Sequence, residues 1–235
     1  MGGSDRVAAV IVAAGKGVRM GTSQRKQYAM LGNRPVLAHT LSAFDSCHAI
    51  EEVFVVIPEG DHRLCRTEIV EPLKPQKAVH LVSGGLTRQD SVFNGLKAMD
   101  HQFDLVTIHD GVRPLVTVEQ ICESVRVAQA YGGCIPALQA ADTVKRVDEH
   151  DCVVRTLNRA LIRMAQTPQT FHYRLVLGAH ITAQEKGYVG TDDAELVERC
   201  GEAVKVIPGD PHNIKITKPE DFQIAEALLN PRGQS

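Results

Sequence analysis

The sequence lacks an excess of either charge. Its 235 residues carry 26 Lys and Arg against 28 Asp and Glu, a net charge of −2. That balance excludes a broadly basic nucleic-acid binder and leaves room only for a local basic pocket. Clustered cysteines are also missing. Cys47, Cys65, Cys122, Cys134, Cys152 and Cys200 lie far apart and no CxxC occurs, so the spacing gives neither a zinc knuckle nor a local redox pair. Scattered thiols in a chain of this length point to a reducing compartment, and the expected location is cytoplasmic. There is no long apolar run. The first apolar stretch, Val7–Ala14, is too short to cross a membrane, and no cleavage-site pattern follows it. Arg6 stands where a myristoylation signal needs Ser or Thr. The motifs HExxH and GxSxG are absent, as is any closely spaced His/Cys set. No zinc or serine hydrolase is signalled, and no metal held by side chains is expected. Neither nucleic acid nor membrane is an expected partner.

What is present is an ordinary globular composition, 43% hydrophobic and 23% charged. Short apolar runs alternate with amphipathic stretches. Strands are expected at Val7–Ala13, Val53–Ile57, Val79–Val82, Leu105–His109, Cys134–Ala137 and Ala203–Ile207. Helical spacing appears in Val36, Leu37, Leu41 and Phe44, in Val92, Leu96 and Met99, and in Ile121, Val125 and Ala128. Helices are further expected at Tyr173–Glu185, Asp193–Cys200 and about Glu220–Leu229, the second opened by Asp192 with Glu195 and stopped by Gly201. Strand–helix alternation of this kind predicts an α/β fold with a mostly parallel, Rossmann-like sheet in three layers. Asp142–Leu157 breaks the rhythm: two extended runs flank the polar turn at 148–151, which reads as an inserted β-hairpin arm at about 140–160. No repeat or linker divides residues 1–235, so a single domain carrying that arm is expected.

The first strand leads into Ala13-Ala14-Gly15-Lys16-Gly17-Val18-Arg19-Met20-Gly21. Glycines here let backbone N–H groups approach phosphates, with Lys16 and Arg19 adding charge. The loop is not a Walker P-loop, because GxxxxGK followed by Ser or Thr is absent. It also fails the dinucleotide fingerprint, which needs Gly where Met20 stands and an acidic residue much earlier than Glu59. Phosphate binding and a tight turn that packs strand on helix both fit the bare loop. Arg25 and Lys26 follow, so four basic residues on one connection make a polyphosphate cradle plausible beside a solvated loop.

Val10 to Met20 together with Lys26-Gln27-Tyr28 resembles the signature of sugar-phosphate nucleotidyltransferases, and more narrowly the 2-C-methyl-D-erythritol 4-phosphate cytidylyltransferase family. The resemblance runs from about Val7 to Leu229, with Val12 standing where the family usually has Pro. It implies that Ala13, Ala14, Gly15 and Gly17 contact the nucleotide. Gly85 and Ser91, in Ser83-Gly-Gly-Leu-Thr-Arg-Gln-Asp-Ser91, would lie beside the cytosine, although Ser91 alone also reads as a helix N-cap. In His109-Asp-Gly-Val-Arg-Pro114 it implies that Asp110 and Arg113 bind the sugar phosphate and that Gly111 lies near the nucleotide; an internal Asp–Arg ion pair is the plainer reading. Thr143, Thr167 and Thr191 would be further substrate contacts. Leu86 and Gly111 depart from the family's usual acidic residue and Ala.

The implied reaction joins methylerythritol phosphate to the α-phosphorus of CTP and expels pyrophosphate. A phosphate monoester is already largely dianionic near neutral pH, with a second pKa of about 6, and needs no general base. The task is to position two anions and to spread charge. Arg19 and Lys26 would stabilise the α-phosphate and leaving group. Arg159 and Lys215 would hold the incoming phosphate, with Arg113 assisting. Mg2+ would be held mainly by CTP phosphates. A ribitol-5-phosphate cytidylyltransferase shares these features. A non-catalytic nucleotide-binding regulator is the reading from another class, against which Arg19, Lys26 and Lys215 argue. An isolated ribbon is marginal in water, so the arm should dock on a second copy. The expectation is a homodimer with arm exchange, and the resemblance places Thr143 and Arg159 in the partner's pocket.

Overall fold

The computed structural model describes residues 5–15, 25–100 and 102–229. Strand β1 (Val7–Val12) is apolar throughout and buried almost end to end, as a strand covered on both faces must be. Then follow α1 (Val36–Ser46), β2 (Glu52–Ile57), β3 (Ala78–Ser83), α2 (Arg88–Ala98), β4 (Leu105–Asp110), α3 (Val118–Tyr131) and β5 (Gly133–Gln139). The hairpin arm is β6 (Lys145–Val147) paired antiparallel with β7 (Val153–Thr156), as its alternation implied. The chain continues through β8 (Arg163–Ala165), β9 (Gln169–His172), α4 (Tyr173–Lys186), α5 (Asp193–Arg199), β10 (Lys205–Pro208) and α6 (Pro219–Leu229).

Among the described residues the main sheet has eight strands, in the order β8-β5-β9-β4-β1-β2-β3, with β10 added beside β5. The half from β4 to β3 is all parallel. Strand β9 runs antiparallel between β4 and β5, and β8 is antiparallel to β5, while β10 restores a parallel pair. The sheet is therefore mostly parallel, as expected, but its β5 side is mixed.

Period-two alternation divides β1 between two cores. Ala9 and Ile11 join Val53, Val55 and Ile57 beneath α1 and α3, against Leu41, Phe44, Ile121 and Val125. Ala8 and Val10 join Phe54, Val56, Val106 and Ile108 beneath α2 and α4, against Val92, Leu96 and Val176. These are the three layers. Helix ends follow local chemistry. Thr117 caps α3 by accepting from Gln120 N, and Gly132, at φ 86°, ends it in a region that disfavours side chains.

The expected caps are only partly as read. Asp192 does accept from Glu195 N at 2.9 Å, but Glu195 reaches back to Thr191 N and Oγ1 rather than to Asp192. At α2 the cap is Thr87, in a reciprocal capping box with Asp90. Ser91 therefore lies inside the helix and is not its N-cap. At α6, Asp221 Oδ2 receives Thr217 N and Lys218 N.

Candidate functional site

Parallel register carries the three chemistry-bearing segments to one sheet edge. Val12 pairs with Asp110, and Ile57 pairs with Ser83, so the glycine loop, the Ser83–Ser91 loop and Asp110 all leave the carboxyl ends of their strands, where open α/β sheets bind ligands. Backbone hydrogen bonds join them: Ala13 N to Val56 O at 2.7 Å, Gly84 N to Ile57 O at 2.7 Å and Gly111 N to Val12 O at 2.9 Å. A Cβ on Gly84 would collide with the Ala14 side chain, so this close approach requires glycine. Buried Gln27 fastens the start of the loop, its Nε2 donating to Ala13 O at 2.8 Å and Gly15 O at 3.2 Å. Lys26 Nζ donates to Ile216 O at 3.0 Å, which ties the loop to the segment bearing Lys215. Lys16, Gly17 and Arg19 lie outside the described residues.

Asp110 is the electrostatic centre. Its carboxylate accepts from Arg88 Nε at 3.1 Å and pairs with Lys215 Nζ at 2.7 Å, with Arg113 Nε at 3.7 Å. Burial alone would raise its pKa, but the Arg88, Lys215 and Arg113 charges outweigh that and hold the carboxyl well below the usual carboxylate range. Arg88 also donates to buried Asp193 at 2.9 Å, and Asp193 meets His180 Nε2 at 3.1 Å. Three cations thus surround one carboxylate at the edge, and the second carboxylate offsets Arg88 from behind.

His109, just before Asp110, is fully buried. Thr167 Oγ1 receives Asp110 N at 3.2 Å and lies 2.9 Å from His109 Nδ1, while His109 Nε2 lies 3.2 Å from Arg113 O. These partners select one tautomer: Nδ1 accepts the threonine proton and Nε2–H donates to the carbonyl. Burial pushes the imidazole pKa down to about 3, so the ring is neutral and braces Asp110 and Arg113 without adding charge.

The sequence-derived residues are thereby sorted. Ala13, Ala14, Gly15, Lys26, Gly85, Ser91, Asp110, Gly111, Arg113, Thr167 and Lys215 belong to the edge or its supports. Thr167 commits its hydroxyl to the brace. Ser91 Oγ donates to Thr87 O at 2.9 Å and accepts from Gly85 N at 3.1 Å, so it shapes the loop from below. Thr191, exposed, bonds Glu195 and lies two residues before Asp193, which Arg88 joins to the cluster. Thr143 and Arg159 are elsewhere: both are exposed on or beside the arm. Arg159 donates to Ala141 O at 2.6 Å, and among the described residues neither contacts the Asp110 cluster. Arg88, Gln27, His109 and Asp193 are supports that the sequence reading did not assign. Arg88 and Gln27 stood inside the quoted motifs, whereas Asp193 carried no signal beyond its helix start.

Comparison with known proteins finds similarity along nearly all of the chain. The family model described as 2-C-methyl-D-erythritol 4-phosphate cytidylyltransferase matches residues 7–231. Curated relatives of that name include one from Pelotomaculum thermopropionicum, 44% identical over 97% of this chain and 96% of its own. Another, from Geotalea uraniireducens, is 46% identical over 95% and 97%. The crystal structure of 4-diphosphocytidyl-2C-methyl-D-erythritol synthase from Anaerococcus prevotii superposes with a TM-score of 0.86 at 35% identity, covering 96% of each chain.

Proposed function

Because the chain belongs to the 2-C-methyl-D-erythritol 4-phosphate cytidylyltransferase family, it transfers a cytidylyl group from CTP to methylerythritol phosphate, and we propose the following division of labour among its residues. A phosphate oxygen of methylerythritol phosphate attacks the α-phosphorus of CTP, a P–O bond forms, and the bond to pyrophosphate breaks. The observation that carries this reading is the cluster of Arg88, Arg113 and Lys215 around Asp110 at the edge where the glycine loop begins. Such a cluster is preorganised for an anion and offers no general base. The dianionic nucleophile needs none.

Lys215 and Arg113 hold the incoming phosphate. Asp110 has two oxygens engaged by Arg88 and Lys215, and its remaining lone pairs accept substrate hydroxyls. Ala13, Ala14 and Gly15, with Gly17, hold the nucleotide through the backbone, and Gly111 packs beside them. Gly85 borders the base, with Ser91 fixing its loop. Lys26 and Arg19 stabilise the α-phosphate and the departing pyrophosphate, and Thr191 contacts substrate from the loop that Arg88 ties to Asp110.

Among the described residues no three His, Cys, Asp or Glu side chains converge as a metal site, and Asp110 is occupied by cations. This donor set fits Mg2+ carried on the CTP phosphates, with Lys26 and the glycine-loop backbone holding those phosphates. Bound there, the ion would neutralise phosphate charge.

We also propose a homodimer with arm exchange. Val147, Val153 and Val154 of the arm, with Leu161 and Met164 after it, are exposed apolar residues, and docking on a second copy would cover them while bringing Thr143 and Arg159 to the partner's pocket. The proposed location is cytoplasmic, in keeping with six free thiols. No helix among the described residues is long and apolar enough to cross a membrane.

Lys215→Met tests the assignment. It should lower kcat/KM for methylerythritol phosphate on the order of 10²-fold with an unchanged circular-dichroism spectrum. An unchanged kcat/KM would remove Lys215 from the site.

A further inference from the structure

The fold brings together two cysteines that the sequence keeps 75 positions apart. Cys47 caps the carboxyl end of α1, its N–H bonding Phe44 O at 3.2 Å, and its thiol is buried. Cys122, on α3, is partly exposed, and its Sγ lies 3.4 Å from Cys47 Sγ and 3.9 Å from His48 Nδ1. Cys122 lines a groove of about 540 Å3 with His48, Asp5, Glu51, Glu119 and Glu123. Val7 also borders this groove, at the opposite end of β1 from the glycine loop, so the groove is separate from the cytidylyl-transfer site.

We infer that Cys47 and Cys122 form a thiol–disulfide exchange site that accepts small cationic or neutral disulfides and closes into a reversible intramolecular disulfide. The two thiols divide the roles by access. Cys122 faces the groove with a ring nitrogen beside it to take its proton. Cys47 is fully buried against Cys122, and burial pushes its pKa up to about 12, so it is not the first nucleophile. In the first step the Cys122 sulfur attacks one sulfur of the reagent, its proton passing to His48, and one thiolate leaves. In the second the Cys47 sulfur attacks the Cys122 sulfur and expels the second thiolate. The two departing thiolates take up the two protons released by the protein. Two protein thiols and one small disulfide thus become one protein disulfide and two small thiols. The lining sets the reagent class: Arg126 also borders the groove and pairs with Glu123, and Arg6 pairs with Glu51, but Asp5 and Glu119 leave the balance acidic, which disfavours an anionic disulfide. The expectation concerns where the exchange comes to rest, not how fast it runs.

The probe is cystamine, applied to the full chain with the exposed Cys152 and Cys200 replaced by Ser. After acid quenching, the intact mass should fall by two hydrogens with no cysteamine attached. A non-reducing digest should yield a peptide pair joined through Cys47 and Cys122, which dithiothreitol separates. Adding Cys47→Ser should leave a stable cysteamine adduct on Cys122, with the circular-dichroism spectrum reporting that this variant is folded. A lasting adduct on Cys122 while Cys47 is present and free would overturn the proposal. So would two unmodified thiols in the native protein under conditions that modify both in urea.

Discussion

His109 offers the sharpest test of the physical account, because its neutrality follows first from burial, with the Arg113 and Arg88 charges pushing the same way. The perturbation is His109→Asn, which removes the titrating ring from beneath Asp110. In the folded chain the imidazole pKa is pushed from 6.5 to about 3 by burial, whereas in the unfolded chain it keeps its ordinary value. Below pH 6.5 the unfolded state therefore binds a proton that the folded state refuses, and stability falls as pH falls. The contribution is complete above the unfolded pKa and is lost progressively down to about pH 3. From about pH 7.5 to about pH 5 the loss from this single group is about 2 kcal/mol, at 1.36 kcal/mol per unit of differential titration. A folded pKa one unit higher would leave that figure almost unchanged, since at pH 5 the folded ring is neutral either way. The carboxylates held low by cations, Asp110 and Asp193, lose their share of stability as pH falls through their ordinary value of 3.8, outside the range from about pH 7.5 to about pH 5. Urea unfolding of both proteins across this range should show the wild type losing about 2 kcal/mol more than His109→Asn. Parallel pH profiles would refute the claim that the buried ring stays neutral.

Other expectations concern single interactions. Thr87→Ala removes a side chain that accepts Asp90 N at 3.0 Å and anchors the capping box of α2. It should cost about 1 kcal/mol in urea unfolding, and no loss would deny the cap any energetic role. Arm exchange predicts complementation: Lys26→Ala and Arg159→Ala, each inactive alone, should regain activity when subunits are mixed, up to one working site per heterodimer. No recovery after demonstrated subunit exchange would place Arg159 in its own chain's site.

The parallel half of the sheet was legible because β1, β2 and β4 are buried on both faces, which forces continuous apolar runs at Val7, Val53 and Leu105. Strand β9 was not, since Gln169-Thr-Phe-His172 is short and polar but for Phe171. It is a strand because Thr170 lies between Thr107 of β4 and Cys134 of β5, and because its hydroxyl meets those of Thr107 and Ser124. Neither circumstance is visible in local periodicity. The candidate site divides along the same line. Asp110, Arg113 and the glycine loop announce themselves by type and by their place after a strand. Arg88 does not, for its role depends on Asp110 and on Asp193, which is 105 residues distant. The sequence pointed to Ser91 as the cap of α2, and the structure moves it one helical turn earlier, to Thr87.

The central claim is that the cationic cluster at the sheet edge serves cytidylyl transfer to one polyol phosphate. Pyrophosphate release by the purified chain, measured with each component omitted in turn, tests it most directly. Release should require CTP, Mg2+ and methylerythritol phosphate together, and should be far slower when ribitol phosphate replaces the acceptor. Equal turnover with ribitol phosphate, or no release with methylerythritol phosphate, would contradict the account.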